Sequence, residues 1–186
     1  MLNFTFALNY ALGDLNVRGY HWFNLLIHTL AGLTLFGIVR RTLLRQGYGG
    51  QALVRPALSG RFGADAVPLA LAVAVIWVVH PIQTEAVTYV SQRAESLMGL
   101  FYLLTVYCFI RGASATGERR DSQVIRPLSS CLWLLASVLS CFLGTLSKET
   151  IVTAPVMVLL YDRTFVAGSF REAWRLRWRY YSGLAL

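Results

Sequence analysis

The stretch His80-Pro-Ile-Gln-Thr-Glu-Ala-Val-Thr-Tyr-Val-Ser-Gln-Arg-Ala-Glu95 is polar and charged, and it lies between two apolar runs, Val67 to Val79 and Leu97 to Ile110. Both runs read as membrane spans, which puts the ionisable groups between them at the edge of a bilayer. Charge is costly there and marks a functional site by default. If residues 85–99 form one helix, a turn of ~100° per residue gathers Glu85, Thr88, Tyr89, Gln92, Ser96 and Gly99 on one side. Arg93 and Glu95 then fall near its two edges, and Ala86, Val87, Val90, Ala94, Leu97 and Met98 lie opposite. Such a helix packs its apolar side on neighbours and turns an acid–base–acid face toward a polar ligand.

The same alternation runs along the whole chain. Nearly charge-free blocks cover Tyr20 to Val39, Val67 to Val79, Leu97 to Ile110, Leu128 to Leu146 and Ile151 to Tyr161. The 186 residues are 56% hydrophobic and only 14% charged, with a mean hydropathy of +0.53, which excludes an ordinary soluble domain. A span needs about 20 apolar residues, and the first and fourth blocks supply them. The fifth, at eleven residues, reaches only ~16 Å as a helix, so it reads as a span extended by polar turns or buried within a bundle. The expected fold is all-α, a polytopic helical membrane bundle. About five membrane segments are expected, near 20–39, 67–80, 95–110, 127–147 and 150–162.

Charge sets the expected orientation. Fourteen of the seventeen basic residues fall in three loops, carrying Arg40 to Arg61, Arg111 to Arg126 and Arg163 to Arg179. With five crossings all three loops share one side, which the positive-inside rule makes cytoplasmic. His80–Glu95 and Ser147–Thr150 are then non-cytoplasmic. The net charge of +8 reflects this topology and contact with anionic lipid, not nucleic-acid binding. Phe170, Trp174, Trp178 and Tyr181 recur at helical spacing beside a stripe of Arg171, Arg175 and Arg179, which predicts an interfacial helix over 170–181. The segment that opens at Met1 carries no signal peptide, and Tyr180-Tyr-Ser-Gly-Leu-Ala-Leu186 reads like the opening of another span. The expectation is a fragment of a longer protein, with at least one further span upstream of Met1.

Each candidate site residue has a functional and a structural reading. Arg93 can bind a phosphate bidentately while Glu85 and Glu95 take a metal or sugar hydroxyls, or the three form ion pairs that fix packing. His80 meets a ligand or simply ends a span before Pro81. Lys148 offers a point charge to a phosphate, and Ser147 a cap for the next helix with Glu149 in its first turn. His21, Asn24 and His28 form a stripe suited to stitching helices by hydrogen bonds. Cys108, Cys131 and Cys141 read as core residues with no disulfide framework. The glycines at 47–63 read as a flexible connector, since neither a strand nor a Gly-Lys-Ser/Thr accompanies them. No ligand spacing names a metal site.

Taken together, Arg18-Gly-Tyr-His-Trp-Phe-Asn-Leu-Leu-Ile-His28, His80-Pro-Ile-Gln-Thr-Glu-Ala-Val, Arg93-Ala-Glu-Ser-Leu and Leu146-Ser-Lys-Glu resemble the membrane domain of the transmembrane O-mannosyltransferases that carry C-terminal tetratricopeptide repeats, within the GT-C glycosyltransferase class. The resemblance covers essentially the whole chain. It implies transfer of a sugar, mannose in the family, from a polyprenyl-phosphate donor to a hydroxyl of an acceptor protein on the non-cytoplasmic side. It implies that Arg93 and Lys148 contact the donor phosphate while His80, Glu85, Glu95 and Glu149 line the same cavity. A divalent metal is left open. The family's acidic catalytic base would lie upstream of Met1, so Asp14 does not take that role and the 186 residues alone are expected to be inactive. The rival readings are a transporter or channel, favoured by midplane polar groups or inverted repeats, and a noncatalytic anchor for a repeat domain.

Overall fold

Apolar blocks that cross a bilayer must satisfy their backbone polar groups internally, and helices do so. The computed structural model describes residues 2–14, 16–45, 62–117 and 128–184, and every regular element among them is helical. Met1, most of the glycine-rich connector and the arginines of the 118–127 loop lie outside the described residues.

Helix α1 covers Leu2–Gly13 and α2 covers Val17–Leu43, with Asn16 capping α2 by accepting from the Arg18 N–H. Helix α3 (Ala66–Val79) stops at His80, whose backbone is extended ahead of Pro81. A 3-10 turn at Pro81–Gln83 leads into the short α4 (Thr84–Thr88), and a second at Val90–Gln92 leads into α5 (Arg93–Gly117). Helix α6 is Leu128–Thr145, α7 is Ala154–Tyr161 and α8 is Phe170–Leu184. Among the described residues, four helical stretches are long and apolar enough to cross a membrane: Val17–Leu43, Val90–Ser114, Leu128–Thr145 and Glu149–Ala167. Ala66–Val79 with Pro81–Thr88, bent by 53°, makes a fifth if the pair counts as one span.

The short fifth block gains its length at both ends. A 3-10 turn at Glu149–Thr153 precedes α7 and a π-helical turn at Asp162–Ala167 follows it. The 19 residues of Glu149–Ala167 reach roughly 28 Å at ~1.5 Å per residue. Gly168 ends the run with φ of 83°, a left-handed conformation that glycine adopts without a Cβ penalty.

Helix α2 packs between α3 and α5, α5 between α2 and α6, and α8 closes against α6 and α7. The distribution of polarity is the reverse of a soluble protein's. Leu26, Leu33, Leu71, Ile76, Leu132, Leu135, Leu139 and Val156 point outward, while Asn24, His28, Thr105, Ser130, Ser137 and Asp162 are buried. Exposed apolar surface on this scale fits a lipid solvent, where small residues and interhelical hydrogen bonds hold helices together. Ala31 on α2 and Ala70 and Ala74 on α3 are such small contacts. Phe109, Ile110, Ile151, Ala154, Val158, Tyr180 and Tyr181 form the main apolar core around α5 to α8. This is a polytopic α-helical membrane bundle.

The tightest approach is at Gly144 on α6, where a Cβ would collide with the Ile151 side chain and lie 3.2 Å from the Phe101 Cβ. Overpacking of this kind costs about 1–3 kcal/mol. Gly144→Val should therefore lower the thermal midpoint of the detergent-purified chain by several degrees, and an unchanged midpoint would mean that α6 and the Glu149–Thr153 turn are not in van der Waals contact.

Candidate functional site

The helix expected over 85–99 is broken. Helix α4 ends at Tyr89, which is extended (φ −89°, ψ 122°), and the chain restarts as α5 only at Arg93. Thr84, Val87, Thr88 and Val90 are β-branched and hold a helix weakly. What fixes the break is Asn24 on α2, whose Nδ2 donates to the carbonyls of Val87 (3.4 Å) and Tyr89 (3.3 Å). These acceptors meet a partner 63 and 65 positions away. No helical periodicity within the segment can reveal that partner.

The break alters where Arg93 goes. Its side chain is fully buried, whereas Glu85 and Glu95 are exposed, so the three do not share one face. Arg93 Nε donates to Asn24 Oδ1 (2.8 Å), Nη1 to Asn9 Oδ1 (2.7 Å) and the Thr5 carbonyl (3.4 Å), and Nη2 to the Tyr20 carbonyl (3.1 Å). The rings of Phe6, Phe23 and Tyr20 stand 4.6, 4.8 and 5.4 Å from the guanidinium carbon, within cation–π range. Among the described residues no carboxylate pairs with it. A buried cation without a counter-ion is tolerable only when its N–H groups are satisfied, and here neutral oxygens and ring faces do that work.

Lys148 stands in the extended connection after α6 and precedes the Glu149–Thr153 turn. Its Nζ donates to Glu95 Oε1 on α5, and the two side chains are 40% and 52% exposed. Such an open pair adds little stability, about 0–1 kcal/mol, and leaves both groups reachable. Ser147 does not cap the following turn, because its hydroxyl donates back to the Leu143 carbonyl. Glu149 is exposed in the first turn. His80 is also exposed, and its Nδ1 accepts the Ile82 N–H (3.2 Å), capping the Pro81–Gln83 turn. That bond places the proton of the neutral ring on Nε2. The structure thus brings Glu95 and Lys148 into contact, turns Arg93 into α1 and α2, and leaves His80, Glu85 and Glu149 exposed.

Of the polar stripe His21, Asn24 and His28 on α2, the last two act as stitching. Asn24 holds the break, and His28 Nε2 donates to the Val78 carbonyl (3.0 Å) while stacking on Trp77. Thr5 and Asn9, spaced i, i+4 on α1, are both buried against Arg93. Their recurrence as polar residues in an apolar helix was the available signal. A second polar centre, built on Asp162, also went unread. Arg177 Nη1 donates to both Asp162 oxygens (2.9 and 3.0 Å) and the Tyr181 hydroxyl donates to Oδ2 (2.6 Å), with Asp162 wholly buried. Burial, and then the bond to Asp162, hold the Tyr181 phenol above the usual tyrosine range. Asp162 directly after an apolar block was its only mark in the sequence. Among the described residues no group of three His, Cys, Asp or Glu side chains is arranged to hold a metal ion.

The fold and its charged end define an integral, multi-pass helical membrane protein. Its relatives sharpen this. It is 32% identical to protein O-mannosyl-transferase Tmtc3 of Drosophila melanogaster, over 85% of this chain and 16% of the relative. It is 31% identical to protein O-mannosyl-transferase TMTC2 of Homo sapiens, over 85% of this chain and 15% of the relative. With protein O-mannosyl-transferase TMTC4 of Mus musculus the identity is 28%, over 85% and 20%. The chain is similar to one segment of each of these O-mannosyl-transferases and spans one fifth or less of their length. No family model matches the chain, and neither does any solved structure.

Asn24→Ala strands the Arg93 Nε–H and takes the side-chain donor from the Val87 carbonyl, while the Tyr89 carbonyl keeps the Gln92 N–H; a buried group left unsatisfied costs about 1–3 kcal/mol. The expected outcome is a lower thermal midpoint with faster amide exchange over 84–93, while amides of α6 are unaffected. Exchange that rises uniformly, or not at all, would show that Asn24 does not hold the break. Asp162→Asn leaves Arg177 with half a partner and should lower the midpoint too, since breaking a buried pair costs about 3–5 kcal/mol; an unchanged midpoint would show that the pair adds nothing to the bundle.

Proposed function

We propose that the complete protein is a membrane glycosyltransferase, and that the exposed Glu95–Lys148 pair marks where it meets the phosphate of a polyprenyl-linked sugar, mannose in the relatives' names. The observation carrying this is a lysine that is partly exposed, presented by a short connection between spans, and held by one carboxylate across 53 positions. An approaching phosphate replaces Glu95 as the partner of Lys148 with little loss, because the resting pair is weak. Homology to O-mannosyltransferases supports the reaction class.

In the reaction, a hydroxyl of an acceptor protein attacks the anomeric carbon of the donor and the lipid phosphate leaves. Lys148 lies where negative charge grows on that leaving group, which is the kind of electrostatic help that counts most in a transition state. Glu95 orients Lys148 beforehand. The resemblance gives Arg93 a phosphate contact too. Its guanidinium is engaged by Thr5, Asn9, Tyr20 and Asn24, so we assign it a positive field and the fixing of the α5 N-terminus. His80, Glu85 and Glu149 supply further polar groups for sugar or acceptor hydroxyls. The proton of the acceptor passes to an acidic base, a role the resemblance gives to none of these 186 residues. Arg40 and Arg41 close the opposite end of α2, and by the positive-inside rule the Glu95–Lys148 end is non-cytoplasmic.

The test uses the complete protein in membranes supplied with lipid-phosphate mannose and an acceptor peptide. Lys148→Ala should cut kcat by about 100-fold or more with normal expression, Glu95→Gln by less, and the 186-residue segment alone should transfer nothing. Unchanged kcat and KM in Lys148→Ala would make the pair a purely structural contact.

A further inference from the structure

We propose that the concavity where α8 kinks is a binding site for the phosphate headgroup of an anionic membrane lipid. Helix α8 is not straight. Arg177 has φ −133° and ψ 26°, outside helical values. Beside this break lies a cavity of about 460 Å³ bordered by Cys131 of α6 and by all six residues from Arg175 to Tyr180. A regular helix spreads six consecutive residues around its whole circumference, so the break is what lets them border one space.

The lining is cationic and amphiphilic. Arg177 is committed to Asp162. Arg175 has Glu172 as its nearest carboxylate, at 3.9 Å, with the two side chains 77% and 50% exposed. Arg179 lies over the Trp178 ring, 5.5 Å from its centre, and pairs with no carboxylate among the described residues. Two guanidinium groups are therefore available beside one spent one, and guanidinium takes phosphate oxygens in bidentate fashion. Leu176, Trp178 and Cys131 supply apolar walls. Phe170, Trp174 and Trp178 are exposed on the same helix, in keeping with aromatic side chains at headgroup depth.

Charge selects an anion and the apolar walls select one that carries hydrocarbon. Both guanidinium groups must be kept near the bundle for this to be a site, and the buried Asp162–Arg177–Tyr181 cluster does so by tying the kink to the end of the fifth span. The neutral Tyr180–Ser137 bond (2.8 Å) ties the helix to α6 on the other side. Arg175 and Arg179 are thus mounted on a fixed frame.

The experiment is native mass spectrometry of the purified chain in neutral detergent, titrated with phosphatidylglycerol or phosphatidylcholine. Wild type should prefer phosphatidylglycerol by about tenfold or more, from two arginines each contributing several-fold near an anionic surface. Arg175→Gln/Arg179→Gln should abolish the preference, while Arg40→Gln/Arg41→Gln, which removes the same charge elsewhere, should retain it. Equal loss in both double variants would overturn the site in favour of diffuse charge, and retention in both would overturn it outright. If the first double variant does not fold, wild type decides alone. A photoactivatable phosphatidylglycerol should then label residues 175–180, and labelling spread over the other helices would count against the site. Displacement of the lipid by an equal concentration of inorganic phosphate would reassign the cavity to a free anion and overturn the lipid proposal.

Discussion

One buried cation organises the end of the bundle where the candidate site lies. Arg93 sits at the first residue of α5 with no carboxylate beside it among the described residues, and its N–H groups are met by oxygens from α1 and α2. Neutral acceptors cannot be swapped for water without exposing the charge to an apolar surround, so α1, α2 and α5 are locked together by necessity. The same constraint breaks the chain at Tyr89, because Asn24 serves Arg93 with its oxygen and the loosened carbonyls with its nitrogen. Glu95 follows Arg93 by two residues, and its meeting with Lys148 depends on that fixed start.

The other polar centre solves a similar problem differently. Asp162 has a full counter-ion in Arg177 and a phenol in Tyr181. Between them run apolar contacts and small residues, with hydroxyls such as Ser137 meeting the Thr105 carbonyl across helices at 2.7 Å. The bundle is stapled by polarity at its ends and by close approach in its middle, the expected economy where lipid gives helices no hydrophobic reason to associate.

Blocks such as Leu128 to Leu146 announce themselves through composition alone, since a span is a local property. Hydropathy therefore made the membrane class and the all-helical fold legible. The stripe of Asn24 and His28 was legible as stitching because its spacing is also local. The break at Tyr89 was not, because Asn24 is in another helix and periodicity presumes the helix it is asked to test. Arg93 was misdirected for the same reason. The length of the fifth span was hidden in a π-helical turn that starts at Asp162, where the expected segment ends, and runs on to Ala167. Asp162 found its partner only in three dimensions.

Chain order distinguishes the two charged centres during synthesis. Thr5, Asn9, Tyr20 and Asn24 all precede Arg93, by between 69 and 88 positions. The receptor for that cation has left the ribosome well before the cation does, so α5 can enter the bilayer already matched. Asp162 comes first in its own pair and Arg177 arrives 15 residues later. The carboxylate precedes its partner, which gives the fifth span a reason to settle only after Arg177 has emerged.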